Sequence, residues 1–349
     1  MDAPPSLHRG ARFASVFEVG RLIGALAPQG ILVRDAHDIR LFPALFALDG
    51  VLAVPPDWSF LTGDGRLIVD GTAINPFLIR KGRFPAIRPI GGDGCVLTLE
   101  MADSIDEPVL FVGGDVMGNY YHWLIDFFPR LVVFSRLKAR LTAMGIRRIA
   151  LLRDPPAFAR TLLHGLGIRE EEILWIDGAR ATPFRSLCVL SNLSQYGFVH
   201  PHGVEILRAA FQRKVSGTRK LYVSRRDAAS RRIHNEAELA ATLEAAGFET
   251  VVPSHLPFAE QHRLFAEASV IVGPHGAGLT NMLFAPPGAA VVELWPDVAP
   301  LRHFAVLARA LGHGYGALRA TAADTDRPRD HNAGFCIDPA RVIEALNRN

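Results

Sequence analysis

Ser269 to Leu294, SVIVGPHGAGLTNMLFAPPGAAVVEL, reads as a buried strand, a glycine turn, a helix and a second buried strand. Val270, Ile271 and Val272 form a β-branched run without alternation, as expected of a parallel strand covered on both faces. Gly273 and Pro274 stop it, and His275, Gly276, Ala277 and Gly278 then open a helix predicted to run through Leu279 to Phe284. Small residues at that point let backbone N–H groups approach a ligand, and a helix start of this kind attracts phosphate. Pro286, Pro287 and Gly288 end the helix, and Ala289 to Leu294 repeats the apolar run with one acid, Glu293, near its carboxyl end. Ligands of open α/β sheets collect beyond the carboxyl ends of the strands, so His275 and Glu293 are expected to face one crevice. Gly and Ala at such a turn also serve close packing alone. An imidazole inside the turn has no packing purpose and favours a site.

The pattern around this stretch repeats. Strands predicted at Lys220 to Ser224, Glu249 to Val252, Val270 to Val272, Ala290 to Glu293 and Tyr315 to Ala320 alternate with helices at Glu236 to Ala246, Phe258 to Ala268, Gly276 to Phe284 and Leu301 to Leu311. Strict alternation means a parallel, doubly wound sheet. Thr321 to Gly334 is polar and read as a loop, followed by a last helix from Asp338 to Leu346. Upstream, strands at Val109 to Val112, Ile149 to Leu152, Ile173 to Trp175 and Leu187 to Leu190 alternate with helices in the same way, behind an irregular, β-rich lead-in. The polar stretch Lys214 to Lys220 is the expected hinge. The expected division is therefore 1–215, an α/β domain with its lead-in; 216–335, a Rossmann-like domain; and 336–349, a helix packing back on the first domain.

With 349 residues the chain is long enough for two cores. A hydrophobic content of 49% fits a well-cored globular protein, and a formal charge of only +3 gives no electrostatic footprint for nucleic acid. Cys95, Cys188 and Cys336 are far apart in sequence, which argues against a disulfide framework or a zinc site and for buried thiols in a reducing compartment. The N-terminus has no signal-peptide core and no run of about 18 apolar residues occurs, so the expected location is cytoplasmic, with at most peripheral membrane contact.

Two clusters carry chemistry. Ser224 and Arg225 stand at the carboxyl end of a strand beside the glycine turn, where a guanidinium suits bidentate contact with a diphosphate. Arg226, Arg231 and Arg232 follow and read as a solvated basic loop. In GNYYHWLIDFFPRLVVF, Gly118 to Phe134, residues Asn119, His122, Asp126 and Arg130 recur at helical spacing on one face, and Pro129 is expected to kink the helix by freeing the Ile125 carbonyl. His122 and Asp126 form either an imidazole–carboxylate couple fit to take a proton or a satisfied polar pair in a core. Tyr120, Tyr121 and Trp123 serve sugar stacking or, more commonly, packing. No GxxxxGK[ST], GxSxG or HExxH motif is present, and Gly276-Ala277-Gly278 lacks the third glycine of a dinucleotide fingerprint. Asp324 and Asp326 have metal-ligand spacing but lie in a polar loop, and His200 and His202 flank Pro201 without a third ligand nearby.

Together, GNYYHWLIDFFPRL, LYVSRRDAASRRIHNEAEL and FAEQHRLFAEASVIVGPHGAGLTNMLFAPPGAAVVEL resemble glycosyltransferase family 61, over about Val109 to Leu294. The resemblance implies a GT-B architecture, two Rossmann-like doubly wound domains facing across a cleft, and an inverting transfer; lacking a secretory anchor, the chain resembles the bacterial members, associated with surface polysaccharide. It further implies that Ser224, Arg225, His275, Gly276, Ala277 and Gly278 hold the diphosphate of a nucleotide-sugar donor, that of a UDP-sugar above all, with His275 donating to a phosphate oxygen. Glu293 would accept from ribose hydroxyls and Asn281 would reach the base or sugar. His122 with Asp126 would deprotonate the hydroxyl of a glycan or glycolipid acceptor, with Asp115 as the alternative base. No metal is expected. The competing readings are a non-catalytic nucleotide- or glycan-binding module of the same fold, and a metal-dependent phosphosugar transferase using the Asp324 pair.

Overall fold

The computed structural model describes residues 6–26, 32–33, 43–55, 58–68, 87–91, 94–114, 117–191, 193–195, 198–212 and 215–347. The chain divides into two compact units, Met1–Tyr196 and Gly197–Asn349.

In the first unit the β-rich lead-in and the α/β part share one sheet. Ile173–Ile176, Arg148–Leu152, Val109–Phe111 and Thr182–Leu190 lie side by side in parallel, in that order. Thr182–Leu190 then pairs antiparallel with Ala44–Val54, and the sheet continues through Ser59–Leu61, Arg66–Ile68, Ser6–Ala14, Gly94–Glu100 and Ile87–Gly91. This corrects the expectation of a doubly wound first domain. The parallel strands keep a Rossmann-like order, but the sheet is mixed because Ala44–Val54, nearly all buried, needs a covered partner and finds it in the long strand Thr182–Leu190. Phe46, Leu48, Trp58, Phe60, Phe111, Phe184, Leu187 and Val189 pack into one core across the join. Along the parallel part, the strand order reverses beside Val109–Phe111, whose two neighbours are the next strand in the chain and the last. Such a reversal opens a crevice at the carboxyl ends.

The second unit is a five-stranded parallel sheet of Arg219–Val223, Phe248–Val251, Ala268–Pro274, Ala290–Trp295 and Gly314–Arg319, ordered second, first, third, fourth, fifth. Tyr222, Val272, Val292 and Leu294 face helix Glu236–Ala245 and the last helix, Pro339–Asn347. The last helix therefore packs on this unit, through Val342 against the core that holds Leu239 and Leu243, and not on the first as expected. Helix Pro201–Phe211 also belongs here, because Phe211 meets Phe258 and Phe284 edge on at 6.1 Å and 5.2 Å. The boundary accordingly falls ahead of this helix, upstream of the stretch read as a hinge. Here the strand order reverses between Arg219–Val223 and Ala268–Pro274, which puts the crevice between Ser224–Arg225 and the glycine turn.

Candidate active site

At the crevice of the second unit, Ser224 is buried and its hydroxyl accepts from the Arg226 N–H at 3.3 Å. Arg225 reaches across to the glycine turn. A β-carbon on Gly276 would collide with its guanidinium, so this glycine exists for the close approach of Arg225. A β-carbon on Gly273 or Gly278 would meet Val223 instead, and these two glycines serve packing. The Arg225 Nη2 donates to the Ser230 carbonyl at 3.3 Å, while its buried Nε has no partner and no carboxylate stands within ion-pair distance among the described residues. Burial pushes its pKa down to about 10, with the Arg231 charge adding to the effect.

The predicted helix after the turn is a 3₁₀ helix, Ala277–Phe284, whose first internal bond runs from the Leu279 N–H to the Gly276 carbonyl at 2.9 Å. Among the described residues no hydrogen bond occupies the N–H groups of Gly276, Ala277 and Gly278. They remain available to an anion.

His275 and Glu293 are brought together as expected, but with different roles. His275 Nδ1 lies 2.5 Å from Glu293 Oε1, and the Tyr315 hydroxyl donates to Glu293 Oε2. Glu293 is 0% exposed with both oxygens engaged, so it holds His275 and is not placed to accept from ribose. The imidazole stacks on Trp295 at 4.1 Å and meets Phe304 edge on at 5.2 Å. Burial holds the His275 pKa below the usual imidazole range against the pull of Glu293, and the charges of Arg231 and Arg225 push the same way as burial. A neutral ring with Nδ1–H on a carboxylate presents a lone pair at Nε2, so donation to phosphate from that nitrogen needs a further proton.

Asn281 is also corrected. It is fully buried, and its Nδ2 donates to Gln261 Oε1 at 2.9 Å; Gln261 in turn donates to the Leu256 carbonyl at 3.0 Å. This pair ties the 3₁₀ helix to helix Phe258–Ala266, with the Asn281 side chain sealed from solvent.

Arg231, read from the sequence as solvated loop, and Tyr315, which no motif marks, also join this cluster. Arg231 has a left-handed backbone, φ 54°, uncommon for a residue with a side chain. Its Nε donates to the His275 carbonyl at 3.0 Å and its Nη1 to Asn332 Oδ1 at 2.7 Å, so the second basic pair is half site and not wholly solvated loop. The signal was the pair's position after a strand end; its weight depended on a contact with residue 275 that spacing does not reveal.

In the first unit, Asn119 caps the helix that follows the Val109–Phe111 crevice, accepting from the Tyr121 N–H at 2.9 Å. The helix runs Tyr120–His122, widens to a π-turn over Trp123–Phe127, and resumes at Phe128–Arg136. Pro129 falls where the widened turn gives way to the resumed helix, and the turn takes up the place of its missing N–H. The widened turn keeps its own bond, from the Phe128 N–H to the Trp123 carbonyl. π-turns of this kind concentrate at functional sites. His122 Nδ1 lies 2.6 Å from Asp126 Oδ2, with side chains 28% and 12% exposed. Below them the buried Arg130 donates to the Gly113 carbonyl at 3.3 Å, and burial pushes its pKa down to about 10. Trp123 is fully buried with its indole N–H on the Met117 carbonyl and Tyr121 is buried, so these two are core, while the part-buried Tyr120 packs edge on against Phe158 at 4.9 Å. Asp115 lies outside the described residues.

The remaining candidates dissolve. Asp326 meets His234 Nε2 at 2.9 Å and Asp324 accepts from the Thr321 hydroxyl. His200 caps helix Pro201–Phe211 by accepting from the His202 N–H at 3.1 Å. Among the described residues no group of three His, Cys, Asp or Glu side chains is placed to hold a metal ion. Cys188 and Cys336 are free thiols; Cys188 is buried, while Cys336 is only partly so.

The chain matches the Glycosyltransferase 61 family over residues 120–292, from the helix of His122 to the strand of Glu293. Residues 120–292 are a glycosyltransferase 61 domain. Two beta-1,2-xylosyltransferases of rice (Oryza sativa subsp. japonica) are similar: one is 24% identical over 304 residues, covering 69% of this chain and 57% of its own length, the other 30% over 286 residues, covering 70% and 60%. The human protein O-linked-mannose beta-1,4-N-acetylglucosaminyltransferase 2 is 35% identical over 143 residues, 35% of this chain and 24% of its own length. The chain thus spans less than two thirds of the length of these relatives. Among the described residues no helix is long and apolar enough to cross a membrane.

Proposed function

We propose that the chain is an inverting, metal-independent glycosyltransferase that moves a hexosyl or pentosyl group from a nucleotide-diphosphate sugar, a UDP-sugar above all, to a hydroxyl of a glycan or glycolipid. The observation that carries the reading is Arg225: a part-buried guanidinium that, among the described residues, has no carboxylate partner and stands beside three unoccupied N–H groups, at the strand-order reversal. A buried charge left alone is costly, and a diphosphate would supply the missing counter-charge. Two guanidiniums, Arg225 and Arg231, then do for the leaving diphosphate what a divalent cation does elsewhere.

In the first unit, Asp126 fixes the His122 tautomer and the partly exposed ring accepts the proton of the acceptor hydroxyl as it attacks the anomeric carbon. The sugar–phosphate bond breaks, and its electron pair departs on the diphosphate. The reading takes the two units as the halves of a GT-B enzyme. Free Cys188 and Cys336 support action in the cytoplasm, at most peripheral to a membrane, and on this reading the acceptor belongs to a surface polysaccharide.

Thermal unfolding in the presence of UDP tests this directly. Binding to the native state raises the midpoint, by an amount set by RT ln(1 + [L]/Kd). The shift is expected for UDP, absent in Arg225→Ala, and undiminished by excess EDTA; a requirement for magnesium would overturn the metal-free scheme. A binding module without chemistry would show the shift but no slow hydrolysis of a UDP-sugar.

A further inference from the structure

The Glu293 carboxylate is sealed from solvent, yet it stands two residues before the end of its strand and spends both oxygens on side chains, His275 and Tyr315. Its bond to Nδ1 fixes the neutral ring as the Nδ1–H tautomer, and Nε2 meets no partner among the described residues. The ring keeps 12% of its side-chain surface exposed. The charged and titratable groups around it come from three sides: Glu293 on the fourth strand, Tyr315 on the fifth, and Arg225 and Arg231 from the segment after the first. Trp295 and Phe304 wall the ring without charge, and His331 stands edge on to Trp295 at 6.0 Å.

Without ligand the site therefore holds two cations and one carboxylate, and a third cation at Nε2 is disfavoured. A nucleoside diphosphate adds about two to three negative charges and reverses that balance. Resting on the nucleotide-sugar reading above, we propose that binding of a nucleoside diphosphate is coupled to protonation of His275 at Nε2, with Glu293 and Tyr315 as the positioning residues that hold the ring for it.

The proton comes from the buffer and forms the Nε2–H bond, while Nδ1–H stays on Glu293. Nε2–H then donates to a diphosphate oxygen. When the bond between the anomeric carbon and the diphosphate breaks, the electron pair moves to that diphosphate, and an imidazolium already faces the added charge. Deprotonation accompanies release of the nucleotide, which returns the site to its starting state.

Isothermal titration calorimetry of the full chain with UDP, in HEPES and in Tris at pH 7.5 and 8.5, measures the proton directly. The terminal phosphate of UDP, with a pKa of about 6, is ionised throughout this range. For the native sequence the heats differ between the buffers by uptake of up to one proton, and affinity falls by as much as about tenfold from pH 7.5 to 8.5. In His275→Gln UDP still binds through Arg225, but the buffer difference and the pH dependence vanish. Tyr315→Phe and Glu293→Gln bind with reduced uptake, a readout that a purely structural role would leave unchanged. If Glu293→Gln does not fold, the other two variants decide. Equal heats in both buffers with UDP bound, or unchanged uptake in His275→Gln, overturn the proposal alone. No UDP binding by the folded chain overturns the nucleotide reading and this proposal together.

Discussion

The guanidinium of Arg225 lies against the α-carbon of Gly276, close enough that a β-carbon would overlap both Nη1 and Cζ. The Gly276 backbone is extended, φ 168° and ψ 166°, which any residue adopts, so space and not conformation demands glycine. The contact links the ends of two neighbouring strands, and it aims a cation that, like Arg231, has no carboxylate within ion-pair distance among the described residues.

Gly276→Ala should therefore act through Arg225. The overlapping atoms belong to a flexible side chain that can swing away, so the fold survives and the thermal midpoint moves little. UDP affinity is expected to fall about tenfold or more, the worth of a charge-assisted hydrogen bond. Added to Arg225→Ala the change should cost almost nothing further, because both remove one interaction. Calorimetric UDP titration of the two single variants and the double variant checks this; additive losses would show that Gly276 acts independently.

Asn281 gives the opposite expectation. Its amide is sealed in with Gln261, and Asn281→Ala leaves the Gln261 carbonyl oxygen without that donor. A stability loss of about 1–3 kcal/mol is expected from the stranded polar group and the cavity, read from urea unfolding. UDP affinity measured well below the midpoint should change less than about twofold, since the amide is sealed from solvent. A selective loss of affinity would restore Asn281 to the site.

These two residues show where the sequence is legible and where it stops. The alternation after Lys220 and the small residues at 276–278 mark the sheet, the turn and the place of the crevice, because burial and chain reversal leave local patterns. That Gly276 makes room for Arg225 while Gly278 packs on Val223 depends on strand order, which places residues more than 50 apart side by side. Glu293 and Asn281 look alike in sequence, polar residues set in largely apolar runs, and only their tertiary partners reveal that one orients His275 and the other joins two helices. In the first unit the helical spacing of His122, Asp126 and Arg130 survives the π-turn, but the antiparallel strand Ala44–Val54 that merges the lead-in with the α/β sheet carries no helix-linked signature.

Acid should destabilise the ligand-free chain before its carboxylates titrate. Burial lowers the pKa of both His275 and His313, and His313 Nε2 lies 3.0 Å from the Met282 carbonyl. Unfolding releases both imidazoles to the ordinary value of 6.5, so below that pH the unfolded chain binds more protons than the folded one. The stability contributed by the neutral rings is present above pH 6.5 and declines as the pH falls below it. Thermal unfolding at pH 7.5, 6.5 and 5.5, at constant ionic strength, should show a falling midpoint, and His275→Gln combined with His313→Gln should flatten it. An unchanged slope in the double variant would assign the acid sensitivity to other groups.

The His122–Asp126 couple is separable from nucleotide binding because it stands in the other unit, after the strand Val109–Phe111. Asp126→Asn replaces an acceptor by an amide that can donate to Nδ1. The imidazole then carries its proton on Nε2, and no lone pair remains there for the acceptor hydroxyl. Turnover of a UDP-sugar, followed as UDP released in the presence of acceptor, should drop by about 10²–10⁴, the range of lost general-base catalysis, and His122→Ala should match it. The double variant should be no slower than either single one, since the two residues act as a unit. UDP affinity should stay within about twofold throughout, because neither side chain belongs to the arginine cluster. If turnover persists in both variants while binding is intact, the proton goes elsewhere and the couple is the satisfied polar pair that its spacing equally allows.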